Sequence, residues 1–586
     1  MEKLEKLLYE ILSSKKKELI VVLIIIFSLI ASIMMFPTKL VLAKMLPGKS
    51  ANTFSIYVDL PIDSSKAQTK EVTECILANL EEEEEILNVE TFIAQGAPLD
   101  YAGLVKGSEF KRMKYQAEMV INLTDKHERD EPSYAMVHRL RPVIQSKCQG
   151  LVKGTSIKFI EMPSGPPTMA TIVIELYGKN EGLLRDTAKK VANILKKTDG
   201  LVDVDIMMDK IYKKFKLIPD KEKIIRSGLS VEQVNKIIYL AFKGGKVAFK
   251  NTANQQDQIP IFLRLNDKSR IIEQKSIEEI SNKLGTLRLM NRYGQMIPIK
   301  EVVRIVRANS SPTIFRKNLK NMIRITAECD MVSQVYPLLD ARDKMLKELK
   351  DDYNITKVPG ISTYMFDLFV QDKSSGDSML LRWDGEMKVT LDTFRDLGGA
   401  FIAALVLMFL LMVVYYKSFA LSGIVLVASF LSIIGVIFGH YLTDLVTMAI
   451  NNTHFFLTAT SLIGFISLMG ISARSSLLLI DFSKAQIIDG KEKKAAIANS
   501  TATRAKPILL TTLAIILGSA LLATDPIFGG LGIALIFGSI ASSIVSIFLV
   551  PILINHTKVI NDLCKKKAIK EQEEPQKENN NLNENN

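Results

Sequence analysis

Leu19-Ile-Val-Val-Leu-Ile-Ile-Ile-Phe-Ser-Leu-Ile-Ala-Ser-Ile-Met-Met-Phe36 decides how the rest of this chain is read. The stretch holds no charged residue and follows Lys15, Lys16 and Lys17. That is the composition of a membrane span rather than of a helix buried in a soluble core. Pro37, Lys39 and Lys44 follow with no small-residue cleavage site, so the segment reads as a retained span and not a cleaved signal. Working outward, further apolar blocks of spanning length lie at 397–416, 419–438, 456–480, 507–523 and 530–553. Six spans are expected, one before and five after a long polar region.

Basic residues set the orientation, because Lys and Arg in short loops favour the cytoplasm. The N-terminal lysines, Lys417, the group Lys484, Lys491, Lys493, Lys494, Arg504 and Lys506, and the tail group Lys558, Lys565, Lys566 and Lys567 fall on one side of a six-span threading. Residues 44–395 and the loops near 440–455 and 525–529 then face the opposite side, the periplasm of a bacterium, with both termini in the cytoplasm. The net charge of +12 sits in these membrane flanks and in Lys-rich soluble segments, so it requires no nucleic-acid partner.

The exported region has its own rhythm. Phe54, Ile56, Val58 and Leu60 alternate as a half-buried strand does, and Val72, Cys75, Ile76 and Leu80 recur at helical spacing. Strands near 86–93, 117–123 and 157–160, with a helix through Val137, Leu140 and Ile144, complete a β-α-β-β-α-β order, the ferredoxin-like unit. The order restarts at 172–177 with a helix through Leu184, Ala188, Val191 and Leu195 and a strand at Val202, Val204 and Ile206. A strand at Ile323, Ile325 and Ala327 and a helix after Val335, with Pro337 in its first turn, finish it.

The expected fold is a multi-pass α-helical membrane protein of six spans with a large periplasmic α+β region. Its parts are a cytoplasmic amphipathic segment (1–17), the first span (18–43), a first ferredoxin-like subdomain (44–170) and a second one (171–211 and 313–392) interrupted by an inserted α+β subdomain (212–312). A five-helix bundle (393–555) and a disordered cytoplasmic tail (556–586), rich in Glu, Asn, Lys and Gln, complete it.

Most other conspicuous residues have plain readings. The acidic run 81–85 is a solvated helix end. His127, His138, His440 and His454 lack metal-ligand spacing, and the Gly-Gly-Lys at 244–246 lacks the spacing and Ser/Thr of a P-loop. No nucleotide hydrolysis, enzyme activity, metal or cofactor is expected. Cys75, Cys148 and Cys329 lie in the exported region and Cys564 in the tail. A Cys75–Cys148 bridge is open, since both fall on helices of one subdomain, and free buried thiols are the plainer expectation.

One strong charge stands inside the membrane core, Arg474, and no carboxylate accompanies it. It lies about two turns from the end of its span, roughly a third of the way into a ~30 Å core. A charge at such depth costs about 2.5–3.5 kcal/mol and faces a partner or water, or else snorkels to the interface. Ser472, Ser475 and Ser476 surround it, Asp481 follows at the span boundary on the same face, and Thr511 and Thr512 lie on the next span after Arg504 and Pro507. Thr511 is placed to hydrogen-bond within the bundle or back to its own helix. An arginine does not release its proton, so a proton-driven carrier needs an acid from elsewhere.

Gly470-Ile-Ser-Ala-Arg-Ser-Ser-Leu-Leu-Leu-Ile-Asp-Phe482, with Thr458-Ala-Thr-Ser-Leu-Ile-Gly-Phe465 before it, resembles the tenth span of resistance-nodulation-division (RND) efflux permeases. Lys506-Pro-Ile-Leu-Leu-Thr-Thr512, Thr524-Asp-Pro-Ile-Phe528, Met45-Leu-Pro47, Asp125-Lys-His-Glu-Arg129 and Pro163-Ser-Gly-Pro-Pro167 extend the likeness to residues 18–554 in the family order. The match is to the C-terminal half of such a permease, spans seven to twelve. It implies two porter subdomains with an inserted docking subdomain, a trimer, and export of small molecules against protons with a membrane-fusion adaptor and an outer-membrane channel. By this likeness Arg474 stands where many members carry a Lys that pairs with two Asp residues of span four. Arg504 and Thr511 match further members of that relay, and Asp481 borders it. The resemblance implies a split permease whose acids come from an N-terminal-half partner subunit. The rival readings are a protein-export accessory of the SecD/SecF type and a membrane scaffold that does not transport.

Overall fold

The computed structural model describes residues 2–48, 50–161, 165, 167–253, 256, 258–272, 276–358, 366–451 and 453–559. The expectation of a disordered tail falls almost entirely on 560–586, outside the described residues, as do Cys564 and most of the Pro163–Pro167 motif. The chain divides into two compact units, Met1–Met207 with Phe315–Asn586, and Met208–Ile314.

The larger unit begins with α1 (Glu2–Ser13), whose Leu8, Ile11 and Leu12 are buried, and α2 (Lys15–Met34). Then follow β1 (Thr53–Asp59), α3 (Lys66–Leu80), β2 (Ile86–Ile93), the short α4 (Tyr101–Lys106), β3 (Gln116–Leu123), α5 (Ser133–Cys148) and β4 (Ser156–Ile160). These strands form one antiparallel sheet in the order β2-β3-β1-β4, the ferredoxin-like arrangement. Ser65 and Gln68 start α3 with a capping box. Val72, Ile76 and Leu80 then pack with Met136, Leu140 and Ile144 of α5 over Ile56, Met119, Ile121 and Phe159.

Cys75 and Cys148 form a disulfide between α3 and α5. This corrects the expectation of free thiols. Two helices side by side on one sheet face bring the Cα atoms to 5.9 Å, well within bridging range. Cys329 is free.

The second half of the region between α2 and the later apolar helices opens with β5 (Ile172–Tyr177), α6 (Glu181–Lys196) and β6 (Leu201–Met207). The smaller unit comprises β7 (Lys213–Pro219), α7 (Lys221–Arg226), α8 (Val231–Phe242), β8 (Gly245–Lys250), β9 (Ile259–Leu263), α9 (Asp267–Arg270), α10 (Ile277–Thr286), β10 (Arg288–Met290), β11 (Met296–Pro298), α11 (Ile299–Val302) and β12 (Val303–Asn309). Ile224, Val234, Ile280, Leu284 and Ile299 are the centre of its own core.

The chain then resumes with β13 (Arg316–Lys317), β14 (Lys320–Cys329), α12 (Val335–Glu348), β15 (Tyr353–Lys357), β16 (Leu368–Asp372) and β17 (Ser378–Asp384). β14 pairs with both β6 and β5, and β17 lies on the other side of β5, so β6-β14-β5-β17 repeats the strand order of the first sheet. The strand that directly follows α12 is not the one beside β5. β15 and β16 extend the sheet outward, and the chain returns as β17.

The remaining helices are α13 (Glu386–Tyr416), α14 (Phe419–Leu431), α15 (Ile433–Asn451), α16 (Ala459–Ile488), α17 (Lys493–Ala523) and α18 (Gly529–His556). Among the described residues six helical stretches are long and apolar enough to cross a membrane: Lys15–Met34, Glu386–Tyr416, Phe419–Ile450, Ala459–Ile488, Lys493–Ala523 and Gly529–His556. α14 and α15 make one such stretch, interrupted at Ser432, whose hydroxyl bonds the Ser429 carbonyl. α18 packs along α15 and α16 through small residues. A Cβ on Gly435 would meet the Phe537 carbonyl oxygen at 2.2 Å, and one on Gly464 would touch Ala534 at 3.0 Å.

Candidate functional site

α16 carries Arg474 with its neighbours turned two ways. Ser472, Ala473 and Ser476 face the bundle and are buried, whereas Arg474 is exposed on the opposite side. α17 runs beside it and presents Arg504, Pro507 and Thr511, and the two helices enclose a groove of about 550 Å³ that also takes in Gly470 and Leu478. No lining residue is an acid. Arg474 has no ion pair and no hydrogen bond among the described residues. The Arg504 guanidinium stacks over the Phe482 ring at 4.5 Å, and its Nε is buried without an acceptor. Two permanent cations thus border one cavity whose lining, among the described residues, holds no acid to balance them.

Of the four residues singled out from sequence, Arg474, Arg504 and Thr511 come together here. Asp481 does not line this groove; it accepts a hydrogen bond from the Tyr415 hydroxyl of α13 at 3.3 Å. The Thr511 hydroxyl turns back on its own helix, to the carbonyls of Pro507 (3.2 Å) and Ile508 (2.8 Å). The bond between helices is made instead by Thr512, whose Oγ1 lies 2.5 Å from Ser543 Oγ of α18. One residue is about 100° of rotation on a helix, enough to move a side chain from the groove to the neighbouring helix.

Sequence reasoning also passed over His440. It is fully buried in α15, with Nδ1 2.7 Å from the Val436 carbonyl and Nε2 2.8 Å from Ser461 Oγ. Ser461 belongs to a hydroxyl cluster with Thr458 and Thr460, the last of which bonds the Ile527 carbonyl. With both ring nitrogens engaged, His440 pins α15 to α16. Its signal in the sequence is the imidazole itself, standing in an apolar helix.

The start of α16 is tied to the segment that joins α2 to the first sheet. Lys44 N–H donates to the Leu457 carbonyl at 3.0 Å, Leu457 N–H to Leu42 at 2.8 Å, and Ala459 N–H to Met45 at 3.1 Å. The same segment is held from the other side by the Tyr336 hydroxyl of α12 on the Phe36 carbonyl (3.0 Å) and by Ser333, just before α12, on the Ala43 carbonyl. Residues 36–45 thus link the start of α16 to Ser333 and to Tyr336 of α12 through a few short bonds.

Comparison with known proteins agrees with this architecture. Residues 2–360 and 370–556 match the AcrB/AcrD/AcrF family. The chain is similar to the swarming motility protein SwrC of Bacillus subtilis (strain 168), 23% identical over 404 residues, 68% of this chain and 34% of that protein. It is similar to the nickel and cobalt resistance protein CnrA of Cupriavidus metallidurans, 24% identical over 410 residues, 68% of this chain and 34% of that protein. The multidrug resistance protein MdtC of Yersinia enterocolitica is 22% identical over 442 residues, 74% of this chain and 39% of that protein. A heavy metal efflux pump crystal structure superposes with a TM-score of 0.69 at 17% identity, covering 94% of this chain and 51% of that one. The chain thus spans between a third and two fifths of the length of these curated relatives and about half of the solved pump.

Proposed function

This chain belongs to the AcrB/AcrD/AcrF family of RND permeases, membrane proteins with a large soluble region, and on that premise we propose that it is the C-terminal-half subunit of a proton-driven efflux transporter. In this reading the six apolar helices span the inner membrane with both termini cytoplasmic. The two ferredoxin-like sheets serve as porter subdomains, and Met208–Ile314 is the docking subdomain. The assembly is a trimer that works with a membrane-fusion adaptor and an outer-membrane channel to export a small molecule taken from the periplasm or the membrane. The family match does not favour the protein-export alternative.

The observation that carries the reading is the groove holding Arg474 and Arg504 with no acid. A companion N-terminal-half permease places its carboxylates there. When these are ionised they draw Arg474, and when protonated they release it. The resulting shift of α16 passes through residues 42–45 and 457–459 to α12 and the exported sheets. Arg474 and Arg504 stay charged throughout and act as the fixed counter-ions, Thr511 borders the path, and Asp481 anchors Tyr415 at the edge of the bundle.

Mild-detergent purification from the native membrane, with mass spectrometry of what accompanies the chain, tests this. A second permease-like polypeptide bearing a mid-membrane pair of acids is the expected result. Recovery of the chain with no such polypeptide would remove the acid source and the proposal with it.

A further inference from the structure

α17 has a second groove on its other flank. Leu509, Leu513 and Ile516 of α17 and Ile540, Ile544 and Phe548 of α18 enclose about 420 Å³, and Leu4 of α1 lines it as well. The polar side chains there are Thr512 and Ser543, and their hydroxyls bond each other and the carbonyls of Ile508 and Ser539. The two hydroxyl protons are thus committed within the protein, so the cavity offers an incoming molecule no free donor, and its remaining walls are apolar, which suits an apolar chain better than water or a polar solute. Its walls open outward: Leu509 is 54% exposed and Ile544 52%.

α1 fixes which end of the groove is charged. Tyr9 bonds Glu492 and Asn499 bonds Glu5, so α1 runs antiparallel to α17 and its first turn comes towards the level of Lys506 and Leu509. Lys506 lies one turn before Leu509 on the same helical face. Lys3 and Lys6 are exposed on α1, and none of the three lysines has a side-chain partner among the described residues; Glu2 is the exposed acid of that turn. An aliphatic slot in a membrane-spanning surface, with cations at its interfacial end, has the two chemical halves of an anionic lipid site.

We propose that the α17–α18 groove binds one acyl chain of an anionic phospholipid whose phosphate is held by Lys3, Lys6 and Lys506. Such a lipid fastens α1 to α17 at the membrane surface. The site lies on the flank of α17 away from Arg474 and does not depend on proton coupling, so its test is separate from that of transport.

The full chain, purified in mild detergent with whatever accompanies it, is extracted and its retained phospholipid counted and identified. The expected result is about one phospholipid per chain, enriched in anionic headgroups over the bulk membrane. Leu513→Trp, which fills the slot from an exposed position, is expected to lose it. The triple variant Lys3→Glu, Lys6→Glu, Lys506→Glu is expected to lose the headgroup enrichment. As a second measurement, added phosphatidylglycerol raises the melting temperature of the wild type by several degrees, phosphatidylcholine does not, and Leu513→Trp shows no shift. Equal retention in Leu513→Trp, or retained lipid with the composition of the bulk membrane, overturns the proposal. So does a crosslink from Leu513→Cys to another polypeptide, which would mean that protein fills the slot.

Discussion

Glu175 in the second sheet and Arg474 in the bundle are both charges placed where a full hydration shell is unavailable, and the chain treats them in opposite ways. Glu175, 1% exposed on the central strand β5, receives Lys317 at 2.9 Å, Arg324 at 3.0 Å and the Tyr177 hydroxyl at 2.6 Å. Arg141 on α5, equally enclosed, pairs with Asp330 at 2.7 Å and Asp203 at 3.3 Å, and so joins the first sheet to the second. Among the described residues Arg474 and Arg504 have no carboxylate partner. A buried charge persists only when paired, because the desolvation of an isolated ion exceeds what folding can offset. The sheet region solves this with its own residues, whereas the groove between α16 and α17 is lined by two guanidinium groups and no acid. That contrast separates charges paired within the fold from charges that, on the proposed reading, are paired by another chain.

The largest expected effect tests the unpaired side. Arg474→Ala is predicted to reduce transport to background while the companion chain still co-purifies, and Arg474→Lys, which keeps the cation, to retain part of the activity. Proton-gradient-driven efflux from reconstituted vesicles measures both. Full activity in Arg474→Ala would falsify the counter-ion role.

The paired side should answer on stability instead. Arg141→Ala removes the guanidinium from Asp203 and Asp330, leaving Asp203 only the Phe159 N–H and Gln145 and Asp330 only His138, and the loss of one member of a buried charge cluster costs up to about 3–5 kcal/mol. Denaturant unfolding of the purified chain reads this, with Arg474→Ala as the control that should change little. Equal destabilisation by both variants would erase the distinction.

Next in size is the disulfide. Cys75 and Cys148 close a loop with a sequence separation of 73, so the double Ala variant should lose about 2–4 kcal/mol of stability. Reducing agent should lower the wild-type melting temperature to that of the variant. An unchanged melting temperature in both would show that helix packing alone holds α3 to α5.

These contrasts were unequally legible in the sequence. Arg474 announces itself because a guanidinium in an apolar run is costly whatever surrounds it. The alternation of Phe54, Ile56 and Val58 and the helical spacing of Val72, Ile76 and Leu80 mark side chains that the structure buries. What stayed hidden depends on how one element is rotated against another. Thr511 and Thr512 are adjacent and identical in type, and only the docking of α18 chooses Thr512. His440 finds Ser461 twenty-one residues away on another helix, and the cysteine pair depends on α3 and α5 lying side by side. The β15–β16 hairpin is hidden for a different reason: β16 alternates buried and exposed side chains, but its exposed set includes the apolar Phe369 and its buried set the acid Asp372, so hydropathy does not follow burial.

The smallest effect concerns an acid that lies between the two extremes. Glu161 follows β4, lines a cavity with Lys44, Tyr134 and His454, and stands 3.9 Å from Arg141. Burial pushes its carboxyl up to about 7, Arg141 and Lys44 work against that rise, and Glu328 and Asp330 add to it. With an ordinary value of 4.5 in the unfolded chain, the folded protein binds more protons between about pH 4.5 and 7, so stability falls as pH rises through that window and is level above it. The side chain is 39% exposed, which makes the slope only a fraction of the ~1.4 kcal/mol per pH unit set by one full proton. Glu161→Gln removes the titrating group while keeping the shape. Its melting temperature should therefore lie close to the wild type at pH 4.5 and above it at pH 8. Parallel melting curves for the two proteins across that range would show that Arg141 already holds Glu161 ionised, and would place it with the fully paired charges of the exported sheets.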